Sequence, residues 1–222
     1  MVSTSVRPYR GLSADERRAA RRARLKEACL DLIGEAGIAS VSAEAVSARA
    51  ALTKRYFYES FTDRDALLLE LLDDLFTDVL AKIRDKLTDG GQSAPRRAHA
   101  VVTALMEFMQ TDHRRARLYV EAPGSPVLAR RRDAAFETYS QVLLDTFPGY
   151  PIRAGDHEVN QNRRALAALI IVAGTTQAVV SWLQGEVDLS RDELIEELAS
   201  VIRSVLVGDG GPGISRSAYR SS

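Results

Sequence analysis

Cysteine is nearly absent from this chain. Cys29 is its one thiol, so an internal disulfide is impossible and no cysteine-based metal cage can form. Histidine is almost as scarce: His99, His113 and His157 stand far apart, with no spacing that would hold a metal on one helix face. Aromatic residues make up 6% of the chain. Glycine is too scattered to form a phosphate-cradling loop, and no G-x-S-x-G turn is present. "DGG" near 90 and "GDGGPG" near 210 read as a turn and a tail. The carboxylates of "LLDDL" are neighbours on a helix and point apart. Catalysis, a resident metal and a cofactor are therefore not expected.

Long apolar runs are missing too. The most apolar one, "ALAALIIVAG" from 165 to 174, is about half of what a bilayer span needs. The N-terminal stretch carries arginines but no apolar core of the kind a secretory leader has. No membrane segment is expected, and the cytoplasm is the expected compartment. Lysine is rare: four of the 30 basic residues, the other 26 being arginine. Net charge is zero, so a polyanionic partner has to be sought in local charge.

What is present reads as helix almost throughout, and no strand pattern appears. "SADE" sets Ser13 as an N-cap with Glu16 three residues on, a capping box. Leu25, Ala28, Cys29, Leu32, Ile33 and Ala36 then recur at helical spacing up to Gly37. Cys29 on that face reads as a small buried hydrophobe. Two short helices follow, from Ser42 to about Ala50 and, capped by Thr53, from Lys54 to about Ser60. Three helices so closely joined match a helix-turn-helix unit. A long helix spans about 65–87, with Leu68, Leu72, Leu75, Val79 and Ile83 as its stripe. Further helices are expected at about 95–110, 112–121, 126–146 and 162–184, and one more after a second capping box, Ser190 to Glu193. The helix at 162–184 is apolar nearly all round, which predicts burial on most sides. The last helix carries Leu194, Leu198, Val201, Ile202 and Val205 on its stripe.

"LTKRYFYESF", residues 52–61, holds four of the fourteen aromatic residues beside two cations. Helical phase sorts them. Phe57 and Phe61 are four apart and face the core, which leaves Lys54, Arg55, Tyr56 and Tyr58 on other faces. Residues 1–60 carry eleven basic and seven acidic side chains, an excess of four that the remainder balances. Seven of those arginines precede residue 25 and could follow phosphates or enter a minor groove; a solvated tail and helix face is the plainer alternative.

"ARAALTKRYFYESFTDRDALL", preceded by "GIASVSAEAV", resembles the DNA-binding domain of the TetR family of transcriptional regulators. Ser42, Val46, Ala50, Leu52, Thr53, Phe57, Tyr58, Phe61 and Leu67 fall in register with the family's pattern. The likeness covers about 20–70. Four positions depart from it: Ala51 stands where the turn usually has Gly, Ser47 where Ala is usual, Ser60 where His is usual, and Arg64 where Lys is usual.

The resemblance implies an all-α fold: an arm at 1–12, a helix-turn-helix domain at 13–64, a helical ligand-binding and dimerisation domain at 65–207, and a tail at 208–222. Both ends are read as disordered from their polar, Gly- and Arg-bearing composition. Helix 53–60 would be the recognition helix in the major groove. On it, Arg55 can fork to guanine O6 and N7, Lys54 can reach a base or phosphate, and Tyr56 a thymine methyl or a phosphate. Tyr58 is a phosphate contact by the resemblance. Ser42 and Thr53 can donate hydroxyls to phosphates, and Arg64 joins the expected DNA-binding set.

The implied partners are double-stranded operator DNA, a second copy of the chain and a small-molecule effector. The large residues on the middle helices, Phe108, Met109, Tyr119, Phe136, Tyr139 and Trp182, are candidate ligand contacts and imply an apolar or aromatic effector. Ligand is expected to shift the long helix and with it the spacing of two recognition helices, as in a repressor. A helical carrier or enzyme that binds no DNA is the competing expectation.

Overall fold

The computed structural model describes residues 13–87, 93–147 and 161–206. The expected arm and tail lie outside those residues. Among the described residues there is no strand; nine α-helices carry the fold.

α1 (Ala14–Ala36) begins at the anticipated capping box. Ser13 Oγ accepts from the Glu16 amide at 3.1 Å, and the Glu16 carboxylate accepts from the Ser13 amide at 2.6 Å. These bonds hold the Glu16 carboxyl below the usual carboxylate range. α1 ends at Gly37, whose φ of 80° and ψ of 175° suit glycine alone. A Cβ there would also lie 2.7–2.8 Å from the carboxylate oxygens of Glu121. One of those oxygens accepts from the Ile38 amide at 2.7 Å.

α2 (Ala43–Arg49) and α3 (Lys54–Ser60) are both short, and the turn between them explains how they stay joined. The Ala51 amide donates to the Ala48 carbonyl and the Leu52 amide to the Ser47 carbonyl, the paired bonds of a Schellman ending. Ala51 occupies the left-handed position of that motif, with φ 50°. The turn needs the backbone that glycine adopts most easily, and this chain places alanine there.

α4 (Arg64–Lys86) opens with Asp63 as N-cap, its side chain accepting from the Ala66 amide at 2.8 Å. Its first turns bury Leu67 and Leu68, and its later turns bring Leu72, Leu75, Val79 and Ile83 into the core of the larger part. That larger part is built from α5 (Ala94–Thr111), α6 (His113–Glu121), α7 (Pro126–Thr146), α8 (Gln161–Leu183) and α9 (Arg191–Leu206). The closest pairings are α5 with α9, α7 with α8, α1 with α6, and α4 with α5. Ser190 and Glu193 exchange the two bonds of the second capping box.

Three expectations about faces change. On α1, Leu30 is buried and Ala36 is exposed. On α9 the inner face uses Ile195 and Ala199, while Val201 is half exposed. α8 departs most. Its inner face packs Ala168, Ile171 and Val179 on the core, but Leu166, Leu169 and Ile170 are exposed at 58%, 41% and 61%. α8 is long and apolar enough to cross a membrane by length and composition. The burial predicted on most sides is not reached within one copy of the chain.

Candidate nucleic-acid interface and cavity

α3 is anchored by its aromatic residues. Phe57 is fully buried and Phe61 nearly so, with ring centroids 5.9 Å apart. Full burial of one such ring contributes on the order of 2–3 kcal/mol. Arg22 from α1 covers the Phe61 ring at 4.2 Å, and its guanidinium also bonds the Ser60 carbonyl and the Glu70 carboxylate. α3 is thus clamped between α1 and the start of α4.

The outward side of α3 presents the remaining residues. The Arg55 side chain is 84% exposed, and its Nε donates to Glu59 at 2.8 Å, one helical turn on. That bond uses Nε and leaves the terminal nitrogens to a partner. Lys54 is ion-paired with Glu44 of α2. Tyr58 is 59% exposed and meets Phe57 edge-on at 5.4 Å. Tyr56 is half-buried, with Arg21 over its ring at 4.5 Å. Thr53 is the exposed N-cap residue of α3, and its side chain makes no capping bond. Ser42 Oγ accepts from the Ala45 amide at 3.1 Å and keeps its own proton to donate.

Arg64 already has partners within the chain. Its guanidinium donates to the carbonyls of Val41 at 2.8 Å and Ile38 at 2.7 Å and pairs with Asp65. These bonds pin the 3-10 turn after α1 (Ile38–Ser40) to the start of α4. Inward-facing carbonyls claim the group that the family pattern placed near DNA. Several early arginines are diverted in the same way: Arg21 and Arg22 as above, and Arg24 to the carbonyl of Ala50 at the end of α2. Arg7 and Arg10 lie outside the described residues. Burial pushes the Cys29 thiol up to about 12, so it stays protonated and inert. Among the described residues no group of three His, Cys, Asp or Glu could hold a metal ion.

Glu44 and Glu59 escaped the sequence reading. Glu59 had a signal, the i, i+4 spacing from Arg55. Glu44 had none, because its pairing with Lys54 depends on how the turn folds α3 back on α2.

The second feature is a cavity inside the larger part, about 770 Å³ with its open mouth included. Phe76 and Val79 of α4, Tyr139 of α7, and Ile171, Thr175 and Thr176 of α8 are among its walls. Of the six ligand candidates, Met109, Tyr119 and Tyr139 line it. The other three are turned to different tasks. Phe108 lies under Arg115 at 5.9 Å and Phe136 under Arg132 at 5.7 Å. Trp182 donates to the Leu189 carbonyl at 2.8 Å and ties the end of α8 to the approach of α9. Tyr119 and Tyr139 both meet Phe76 edge-on, at 6.3 and 6.0 Å. Burial raises both phenols, so they remain neutral donors at ordinary pH.

α6 joins the two features. Tyr119 faces the cavity. On the same helix Arg114 bonds Asp31 at 2.6 Å, Arg117 bonds the Gly34 carbonyl at 3.1 Å, and Glu121 accepts from Ile38. A displacement of α6 would therefore reach α1 through these bonds.

Residues 25–71 match the family model described as bacterial regulatory proteins, tetR family. No curated protein matches the chain. Among solved structures, a transcriptional regulator from Rhodococcus sp. Rha1 is 22% identical with a TM-score of 0.66, covering 84% of this chain and 96% of its own. A TetR-family transcriptional regulator from Syntrophomonas wolfei is 18% identical with a TM-score of 0.67, covering 89% and 98%. The transcriptional regulator FadR from Bacillus subtilis, solved in complex with stearoyl-CoA, is 15% identical with a TM-score of 0.61, covering 84% and 98%. Residues 25–71 thus match the TetR-family model, and the chain around them has the fold of these solved regulators.

Proposed function

We propose that this chain is a cytoplasmic, ligand-responsive repressor that binds a two-fold symmetric operator as a homodimer. In this reading residues 13–64 grip DNA, and residues 65–207 hold the effector and the partner copy. The observation that carries it is the division of α3: Phe57 and Phe61 buried on one side, Arg55 and Tyr58 exposed on the other. Such a helix offers a fork of donors to a guanine edge and a phenol to a phosphate from a fixed base. Thr53, Lys54, Tyr56 and Ser42 stand beside them and complete the proposed contact set; Arg64 is left out of it.

The cavity supplies the response. Its walls include α4, which follows the α3 clamp, and α6, which is bonded to α1. A ligand that prefers one placement of these helices shifts the population of DNA-competent protein. The apolar lining agrees with an apolar effector. The FadR relative from Bacillus subtilis holds stearoyl-CoA, a ligand with a long apolar chain.

Selection of binding sites from random DNA tests the proposal. The expected product is a symmetric site with one guanine contact per half that depends on Arg55. Arg55→Ala should relax preference at that base pair, at a cost of about 1–3 kcal/mol in discrimination. Tyr58→Phe should weaken all sites alike. Recovery of no sequence would overturn the reading. Uniform weakening by Arg55→Ala would reassign that residue to phosphate.

A further inference from the structure

The cavity has an uneven chemistry. Every described residue that lines it is uncharged, although Arg131, over the Phe76 ring at 5.2 Å, and Arg132 act electrostatically on the Tyr139 and Tyr119 phenols. An ionised group enclosed among these walls loses its hydration and finds no charged group lining them, which disfavours it against a neutral one. The lining is aliphatic or aromatic apart from a few hydroxyls. Among these, Thr146 donates to the Val142 carbonyl at 2.7 Å within its own helix. Thr176 stands close enough to Tyr119 to offset in part the rise that burial gives its phenol. Tyr139 differs: its hydroxyl reaches only the Phe76 carbonyl, at 3.4 Å. That is the outer limit for an O–H donor, whose bonds cluster near 2.7–2.8 Å. A phenolic proton in an apolar cavity is thus held by a poor acceptor, and a better one would be favoured there.

We infer that the effector is an uncharged, lipophilic molecule that sets one hydrogen-bond acceptor, a carbonyl, ester or ether oxygen, against the Tyr139 hydroxyl beside the Tyr119–Thr176 pair. The apolar walls give affinity with little discrimination. The Tyr139 donor gives orientation, because a partner without an acceptor leaves it badly satisfied. This inference rests on reading the cavity as the effector site.

Three naphthalenes of nearly one shape separate its parts: 2-acetylnaphthalene, 2-ethylnaphthalene and 2-naphthoate. The full-length protein, without DNA, is first saturated with the neutral fluorophore N-phenyl-1-naphthylamine, and each compound is then titrated as a displacer. Ile171→Trp, which fills the cavity, should abolish the fluorophore signal. Acetylnaphthalene should displace about three- to tenfold more effectively than ethylnaphthalene, the worth of one net hydrogen bond. Naphthoate should be at least about tenfold weaker than the ketone, its charge finding no charged group on the walls. Tyr139→Phe should erase the ketone's advantage and leave ethylnaphthalene unchanged, a pattern that general loosening of the fold would not give. Naphthoate equal to the ketone would overturn the neutrality of the ligand. A ketone advantage that survives Tyr139→Phe would overturn the anchor. A fluorophore that does not bind, or that still binds Ile171→Trp, would overturn both. Because no operator is involved, failure here leaves the DNA-binding proposal standing, and failure of the operator selection leaves this result standing.

Discussion

Two residues in the helix-turn-helix work against the fold around them. Ala51 sits at φ 50°, where its Cβ crowds the backbone. It is exposed, so the methyl earns nothing in return. Ala51→Gly should raise the unfolding free energy by about 1 kcal/mol, the left-handed strain being offset in part by glycine's greater unfolded entropy. A urea titration that showed no gain would mean the turn relaxes without strain. Ser47 is the second. It is buried at 3% exposure, and its Oγ has no hydrogen-bond partner. Ser47→Ala removes an unsatisfied hydroxyl at little cost in volume and should stabilise by about 1 kcal/mol. If the variant is less stable than the parent in the same titration, that hydroxyl has a partner in solution. Both residues lie where the chain departs from the family pattern, so each change returns it to the usual residue. The departure was visible in sequence. Its consequence was not, because neither a dihedral nor an empty shell around an oxygen is written in a residue's identity.

Among elements, α6 is where the charge of the chain is concentrated to most effect. Asp112 caps it, accepting from the Arg114 amide at 3.0 Å and from the same residue's guanidinium at 2.8–3.0 Å. That guanidinium also reaches Asp31 and Glu27 on α1. The bonds from Arg114 hold the Asp112 carboxyl below its ordinary range. A group whose pKa is lower in the folded state stabilises the fold above its unfolded pKa. That stability is lost as pH falls through the folded value. Asp112→Asn keeps an N-cap and removes the charge. It should lower stability at neutral pH and make the loss below about pH 4 shallower than in the parent. Parallel pH curves for the two proteins would show that the charge contributes nothing. Here the sequence was partly legible. Helix existence followed from apolar spacing, and the caps at Ser13, Ser42, Ser190 and Gly37 from residue type, whereas those at Asp63 and Asp112 were not anticipated. The α1–α6 seam did not, since its partners stand more than eighty positions apart and no local pattern links them. The cavity was half legible for a similar reason. Tyr119 and Tyr139 advertise themselves as large residues, whereas Val79 and Ile171 look the same whether they fill a core or line a cavity.

At the scale of the molecule, one copy leaves an apolar surface without cover. Leu166, Leu169 and Ile170 recur at helical spacing on one face of α8, and Val201 of α9 is exposed as well. Gly174, two turns along that face from Leu166, has nothing within 4 Å of where a Cβ would be, so nothing inside the chain requires glycine there. Open space beside a glycine suits the close approach of another helix. Under the proposed function an operator with two half-sites would supply the reason for a second copy, because one recognition helix reads only one half-site. A two-fold interface places each substitution twice, facing itself or nearly so. Ile170→Arg therefore sets two cations into a face that should be apolar. Since Ile170 is 61% exposed in one copy, the fold of each copy should persist, with thermal stability of the monomer little changed. Sedimentation equilibrium should give the 24.4 kDa mass of one chain where the parent gives twice that. Binding to a full operator should fall to the level of a half-site, while the preference for each half-site base is kept. A variant that still sediments as a dimer would move the interface off α8.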